Sequence, residues 1–416
     1  MNFQPPSKSL TARDYQFIIL VTILLIAISI AIVFANLSLP KGGGDFYVHW
    51  VAARGFLFEQ TDPYSGEIPV RVQKLVYDDS IQAGDEVYIL DSPFHILLLY
   101  FPFALLADPE LARAIYTVVL ELALFALIYF SLRLTDWETP IWFSIIFFIF
   151  CILNFYSFQS ILEANPVLVL AFIYASILIA LRSEQDELVG GLLAVSLYYW
   201  EVGLPFLLWI VYRCYKESRT RVLAGFFMLS FVLLVISFLW YPNWIFPYLQ
   251  AGMNNLRADF GFTIFSSLQT IFPSFGRFLA STIITIVVIA YGYEWNKTAE
   301  SDDRRFYWVS CLSLAIAPLL GFRTEIEHLA VLIIPLAFIF SIVYDRWKIG
   351  GALTILILLF LFIFPWLLYL LNPTTLTQEI LFLFLPLFTL IGLYWIRWWA
   401  LRPPRTWRDL AKQMEP

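Results

Sequence analysis

Residues 15–45 read YQFIILVTILLIAISIAIVFANLSLPKGGGD, an apolar run from Tyr15 to Leu37 followed at once by Lys41-Gly42-Gly43-Gly44-Asp45. The run matches the ~20 residues needed to cross a bilayer core. It is too long for the core of a secretory leader, and no small-residue cleavage pattern follows it, so it predicts a retained first membrane helix. Ahead of it, residues 1–14 are polar and carry Lys8 and Arg13, which sets them on the cytoplasmic side. A lone carboxylate, Asp45, therefore stands where the first helix returns to water on the opposite face.

Outward from this stretch the pattern repeats. Apolar segments recur near 93–107, 110–133, 140–156, 166–182, 188–212, 222–240, 278–295, 306–320, 328–344, 350–371 and 379–400. The spacing predicts an all-α fold, a polytopic membrane bundle of about 12 transmembrane helices, as a single integral-membrane domain over 1–416. Composition agrees, being 60% hydrophobic and 14% charged, against nearer half and a quarter in soluble domains. Within the domain, 38–92 reads as a first non-cytoplasmic loop whose stretch 45–59 forms a helix at the interface. Residues 241–277 read as a second long non-cytoplasmic loop, and 401–416 as a basic cytoplasmic tail. This layout puts Arg113 on the cytoplasmic side and Arg133 and Arg182 outside, with about two thirds of the 26 basic residues inside. Cys151, Cys214 and Cys311 lie in or beside apolar runs without paired spacing and read as small core residues.

The polar chemistry gathers on the outer face. His49, His95 and His328 all fall there, and the octet Gly321-Phe322-Arg323-Thr324-Glu325-Ile326-Glu327-His328 offers Glu325, Glu327 and His328 to a charged or hydroxylated ligand. Carboxylates and histidines at a partly desolvated mouth suit proton abstraction from a hydroxyl. Asp45 is the candidate base, and it is equally a candidate N-cap of the helix that follows. His49 reads as a partner of Asp45 or a substrate contact, and His95 as a helix-end packing residue. Arg323, Arg257 and Arg54 lie near membrane depth and are candidates to grip a donor phosphate, or to snorkel. Glu121, Glu163 and Glu201 read as bundle hydrogen-bonding groups.

At these residues the chain resembles the membrane glycosyltransferases of the GT-C superfamily, specifically glycosyltransferase family 87. The resemblance rests on Gly44-Asp45-Phe46-Tyr47, on Gly55 through Asp62-Pro63-Tyr64, and on Tyr88-Ile89-Leu90-Asp91-Ser92-Pro93 through Phe101-Pro102-Phe103. Asn165-Pro166 and the segment from Thr324 to His328 complete it. It implies a GT-C-like bundle with the catalytic carboxylate in a non-cytoplasmic loop. A polyprenyl-phosphate sugar, with mannose the first expectation, would be the donor, transferred with inversion to a lipid or glycan hydroxyl. Carried over, Asp45 would be the base and His328 a donor-phosphate or acceptor contact, with Tyr47, His49, Asp62, Tyr64, Glu325 and Glu327 lining the substrate site. Two segments depart from the family: Leu162-Glu163-Ala164-Asn165 replaces a usual Gly-Gln-x-Asn, and Glu201 stands where relatives carry lysine.

No cofactor and no metal are expected. The i, i+4 spacing of Asp45 and His49 would offer a cation two ligands, with no third evident in sequence. The expected partners are the lipid-linked donor, its acceptor and membrane lipids, in a multi-pass cell-membrane protein with both termini cytoplasmic. The rival reading is a transporter or lipid-linked-sugar flippase, which would work through carboxylates deep in the bundle.

Overall fold

The computed structural model of the chain describes residues 30–39, 42–77, 87–137, 139–257, 261–298 and 303–401. The start of the first apolar run and the basic tail beyond 401 lie outside them; α1 is followed over 30–37. Among the described residues the secondary structure is helical, apart from one antiparallel bridge between Phe262 and Thr324. By length and composition, seven helical stretches among the described residues are long and apolar enough to cross a membrane, and an eighth arises if α6 (Ile141–Leu153) and α7 (Phe155–Leu162), bent by 50°, are one span. The chain is thus a multi-helix membrane protein.

Burial sorts these helices. The stretch Glu327–Arg346, a 3-10 turn (Glu327–Leu332) leading into α16 (Ile333–Arg346), is 83% buried over its apolar window and forms the centre. By contrast α11 (Thr220–Trp240) and α14 (Gly276–Thr298) are 17% buried and present their side chains to lipid. Their exposed side chains include Phe227, Phe231, Leu239, Phe278, Ile286 and Ile289, which cost nothing against acyl chains.

One end of the bundle gathers Gly42, Asp45, Glu163, Tyr198, Thr324 and His328; the other gathers Asp136, Arg182, Asp186, Arg219, Glu294 and Arg397. These are called the site end and the far end. Two segments depart from the predicted path. Segment 93–107 forms α4 (Phe94–Ala104), 11 residues and so about 16 Å long, and its contacts keep it at the site end. Its last turn stays beside α2 (Gly44–Arg54): Trp50 Nε1 donates to Phe103 O at 3.0 Å and Arg54 Nη1 to Ala104 O at 2.9 Å. Its apolar residues Phe94, Ile96, Leu97 and Tyr100 are buried against protein, a fate hydropathy cannot tell from burial in lipid.

Segment 188–212 departs in the opposite sense. The helical stretch Asp186–Lys216, if straight, would span about 46 Å. Instead Asp186 Oδ1 lies 3.6 Å from Arg219 Nε, and Glu187 pairs with Arg221 at 3.7 Å. The chain doubles back at the 3-10 turn Leu197–Tyr199, so that α9 (Asp186–Ser196) climbs to the site end and α10 (Trp200–Lys216) descends. Close contact of α9 with α11 holds the first leg: a Cβ on Gly190 would lie 2.3 Å from Val222 O, and one on Gly225 2.9 Å from Glu187 O.

The two departures cancel after residue 200 but invert the helices between them. α5 (Pro109–Leu134) therefore starts at the site end, carrying Arg113 there, and Arg133 and Arg182 fall at the far end, where Arg182 pairs with Asp136 at 2.8 Å. The interfacial helix expected over 45–59 is present as α2 with a π-turn Gly55–Glu59, yet nine of its residues from Gly44 to Ala53 are buried. The first loop also holds α3 (Glu67–Tyr77). The second long loop contains α12 (Ile245–Arg257) and α13 (Ile264–Ile271).

Candidate active site

The site begins with the glycines before Asp45. Gly43 is the N-cap of α2 with φ 89°, a left-handed conformation that glycine adopts without strain, and no side chain caps the helix. Asp45 is therefore not the cap, because its carboxylate is engaged elsewhere. The glycine loop is clamped from both sides: Gly43 N donates to Glu163 Oε2 at 3.1 Å, and Arg113 Nη1 donates to Gly42 O at 2.7 Å. At Gly44 the packing leaves no room for a side chain, since a Cβ would sit 2.1 Å from the Tyr88 ring. Burial raises the Glu163 carboxyl above its usual range, partly countered by the Gly43 and Gly44 N–H groups and by Arg113.

Asp45 is half-buried, and its Oδ2 accepts a short hydrogen bond from Asn165 Nδ2. Asn165 is wholly buried at the start of α8 (Val167–Arg182), and its Oδ1 accepts from Val167 N at 2.9 Å, which fixes the amide with nitrogen toward Asp45. The same Nδ2 stands 3.5 Å from Glu325 Oε2. Glu325 and Glu327 arrive on the strap before α16, held by the Phe262–Thr324 backbone pair at 2.8 and 2.9 Å and by Ser160 Oγ donating to Glu327 O at 2.8 Å. One carboxylate oxygen from each of Asp45, Glu325 and Glu327 lies within 4.8 Å of the others. At an effective dielectric near 20, two unit charges at that distance repel by about 3 kcal/mol.

His328 closes the site. It is 4% exposed, and its Nδ1 accepts from Glu325 N at 3.3 Å, which leaves the hydrogen of the neutral ring on Nε2. Among the described residues that Nε2 has no hydrogen-bond partner, and it lies 3.5 Å from Glu325 Oε2. Tyr199 packs over the ring at 5.0 Å between centroids.

His49 takes a different part. Its Nδ1 donates to the Asp45 carbonyl at 2.7 Å, and Nε2 accepts from Tyr198 OH at 2.7 Å and Ser92 Oγ at 3.1 Å. Burial lowers its pKa to about 4, only partly offset by the Asp45 carbonyl bond, so it is a neutral brace. Both nitrogens are committed, and the Asp45–His49 cation pairing does not form. The carboxylates that join Asp45 are instead those of Glu325 and Glu327, with His328 beside them.

The remaining candidates separate. Arg54 is spent on Ala104 O and Leu106 O, between the rings of Trp50 and Phe58, and does not reach the acids as a phosphate grip. Asp62 Oδ1 caps its own turn at Tyr64 N, and Tyr64 OH donates to Ser92 O at 2.9 Å, so both shape the loop. Tyr47 is 5% exposed and feels Arg113, Glu110 and Asp108 rather than the acid cluster; burial raises its phenol. Arg323 packs its stem on Gly261 at the site end. The Arg257 side chain lies outside the described residues.

Sequence reading missed Asn165 as the partner of Asp45, Glu163 and Arg113 as the clamp, and Tyr198 and Tyr199 as the turn over both histidines. Asn165-Pro166 was a visible signal; the tyrosines were hidden inside an apolar run. A concavity of about 830 Å³ lined by Trp142, Tyr344, Trp347 and Lys348 opens at the far end, and none of the residues above lines it. The site is therefore identified by chemistry rather than by the size of a hollow. Comparison with protein-family models and with curated proteins returns no match.

Proposed function

We propose that this protein is a membrane glycosyltransferase, moving a sugar from a polyprenyl-phosphate donor to the hydroxyl of a lipid or glycan acceptor. The observation that carries the reading is the meeting of Asp45, Asn165, Glu325, Glu327 and His328 at one end of an apolar bundle. A half-buried carboxylate oriented by a buried amide is placed to take a proton from a hydroxyl delivered from lipid. Asp45 would remove that proton as the oxygen attacks the anomeric carbon from the face opposite the phosphate, giving inversion. The C1–O bond to phosphate breaks, and the His328 Nε2–H would donate to an oxygen of the leaving group. The donor's tail would lie among the exposed apolar faces of the bundle.

A bundle of about 12 membrane legs in a cell membrane, with the site on the non-cytoplasmic side and both termini cytoplasmic, belongs to the same proposal. Moving Arg113 to the site end and Arg133 and Arg182 to the far end sharpens the basic asymmetry that supports this orientation. A carrier would set its working carboxylates midway through the bundle. The acids here cluster at one end, which favours transfer chemistry.

The test is transfer from radiolabelled polyprenyl-phosphate mannose to membrane lipid acceptors by the purified chain in liposomes. Asp45→Asn should lower the rate ~10²–10⁴-fold. A variant that transfers at the wild-type rate would remove Asp45 as the base.

A further inference from the structure

We infer that Asp45, Glu325 and Glu327 together hold a hard divalent cation. Two independent observations converge. The first is the donor set: three carboxylate oxygens, brought from chain segments 280 residues apart by number, lie within 4.8 Å of one another. All-oxygen anionic donors select Ca²⁺, Mn²⁺ or Mg²⁺ over softer metals. Two oxygens can both touch a cation whose bonds are ~2.3–2.6 Å when they are no more than about 5 Å apart, whereas Mg²⁺ at ~2.0–2.1 Å needs them nearer 4 Å. Separations under 4.8 Å admit Ca²⁺ and Mn²⁺, and the reluctance of Mg²⁺ to shed its water ranks it below them.

The second observation is His328. Its ring is 4% exposed, its Nδ1 is occupied by the Glu325 backbone N–H, and its buried Nε2 is without a hydrogen-bond partner among the described residues while aimed at the cluster, 3.5 Å from Glu325 Oε2. Because Nε2 carries the hydrogen, it is a donor and not a metal ligand. A buried donor of this kind calls for an acceptor oxygen in the site. An oxygen brought by a cation, as bound water or as a phosphate oxygen, meets that need beside three carboxylates, where a bare anion would be repelled. Asn165 supports the arrangement by donating to Asp45, with Glu325 Oε2 at 3.5 Å, turning the carboxylates toward a common point.

The inference concerns the ligand of the cluster and does not depend on which reaction the site performs. The experiment is direct titration of the purified full-length chain in detergent with Mn²⁺, read by loss of the free-ion electron paramagnetic resonance signal, with Ca²⁺ and Mg²⁺ as competitors at constant ionic strength. The expected result is saturable binding of one Mn²⁺ per chain, displaced by Ca²⁺ more readily than by Mg²⁺. Glu325→Gln and Glu327→Gln should each weaken binding at least tenfold, while Glu59→Gln, which alters an exposed pair with Arg71, should leave it unchanged. Absence of stoichiometric binding to the wild-type chain overturns the inference, and so does binding that survives both site substitutions. Because the wild-type titration decides by itself, a variant that fails to fold does not leave the question open. Cation binding without sugar transfer would sink the proposed reaction and keep the site.

Discussion

Asn165→Asp changes one atom at the centre of the site and tests how the acids are held. The aspartate keeps an oxygen for Val167 N, so the start of α8 is preserved. It replaces the N–H donated to Asp45 with a second carboxylate oxygen. The lost bond to a charged acceptor is worth about 1.5–3 kcal/mol. If both carboxylates ionise at hydrogen-bonding distance, roughly 3 Å with an effective dielectric near 20, they also repel by about 5 kcal/mol. Asp45 is half-buried, and solvent screening reduces that repulsion to roughly half. The folded variant therefore retains a shared proton that the unfolded chain releases at neutral pH. The folded state then binds more protons than the unfolded one, so stability falls as pH rises, by up to ~1.4 kcal/mol per pH unit. The assay is thermal unfolding in detergent, followed by tryptophan fluorescence, for wild type, Asn165→Asp and Asn165→Ala at pH 5 and pH 8. Asn165→Asp should lie close to wild type at pH 5 and well below it at pH 8. Asn165→Ala, which loses the Val167 cap as well, should be about 2–4 kcal/mol weaker with little difference between the two. If Asn165→Asp follows wild type at both pH values, the contact between residues 45 and 165 is not what orients the base.

Three other perturbations separate the parts of the site. Gly43→Ala meets a left-handed backbone costing about 1–2 kcal/mol and would place Cβ 2.6 Å from Arg113 Cδ, while Gly66→Ala meets nothing within 4 Å; the first should cut transfer and melting temperature, the second neither. His49 has a folded pKa of about 4 against 6.5 for the free side chain, so the unfolded state binds the extra proton as the solution is acidified. Stability should be intact above about pH 6.5 and fall by about 3 kcal/mol on the way to pH 4, a slope that His49→Gln should remove; parallel wild-type and variant curves would refute it. Finally, single cysteines replacing Glu110 and Asp136, at opposite ends of α5, should react with an impermeant thiol reagent from opposite sides of the vesicle, with Glu110→Cys sharing the side of Asp45. Labelling of Glu110→Cys from the side opposite Asp45 would restore α4 as a crossing helix.

Much of the architecture is visible in the chain as written. Hydropathy is a local property: a run of some 20 apolar residues must be buried in lipid or protein wherever it lies, so the helices and their approximate limits follow from the sequence. The chemistry of individual residues was legible too, because Asp45 behind a membrane helix and Glu325, Glu327 and His328 before another are costly there without a purpose. Tertiary structure alone decided which apolar runs cross, since α4 is apolar for protein contact and the turn Leu197–Tyr199 reverses a run that reads as continuous. It also decided which polar atoms meet. Asp45 finds Asn165 rather than its own helix N-terminus, and His49 turns to Tyr198 rather than to the acids, because hydrogen-bond partners in a bundle are chosen by how helices pack side by side, an arrangement no local pattern records.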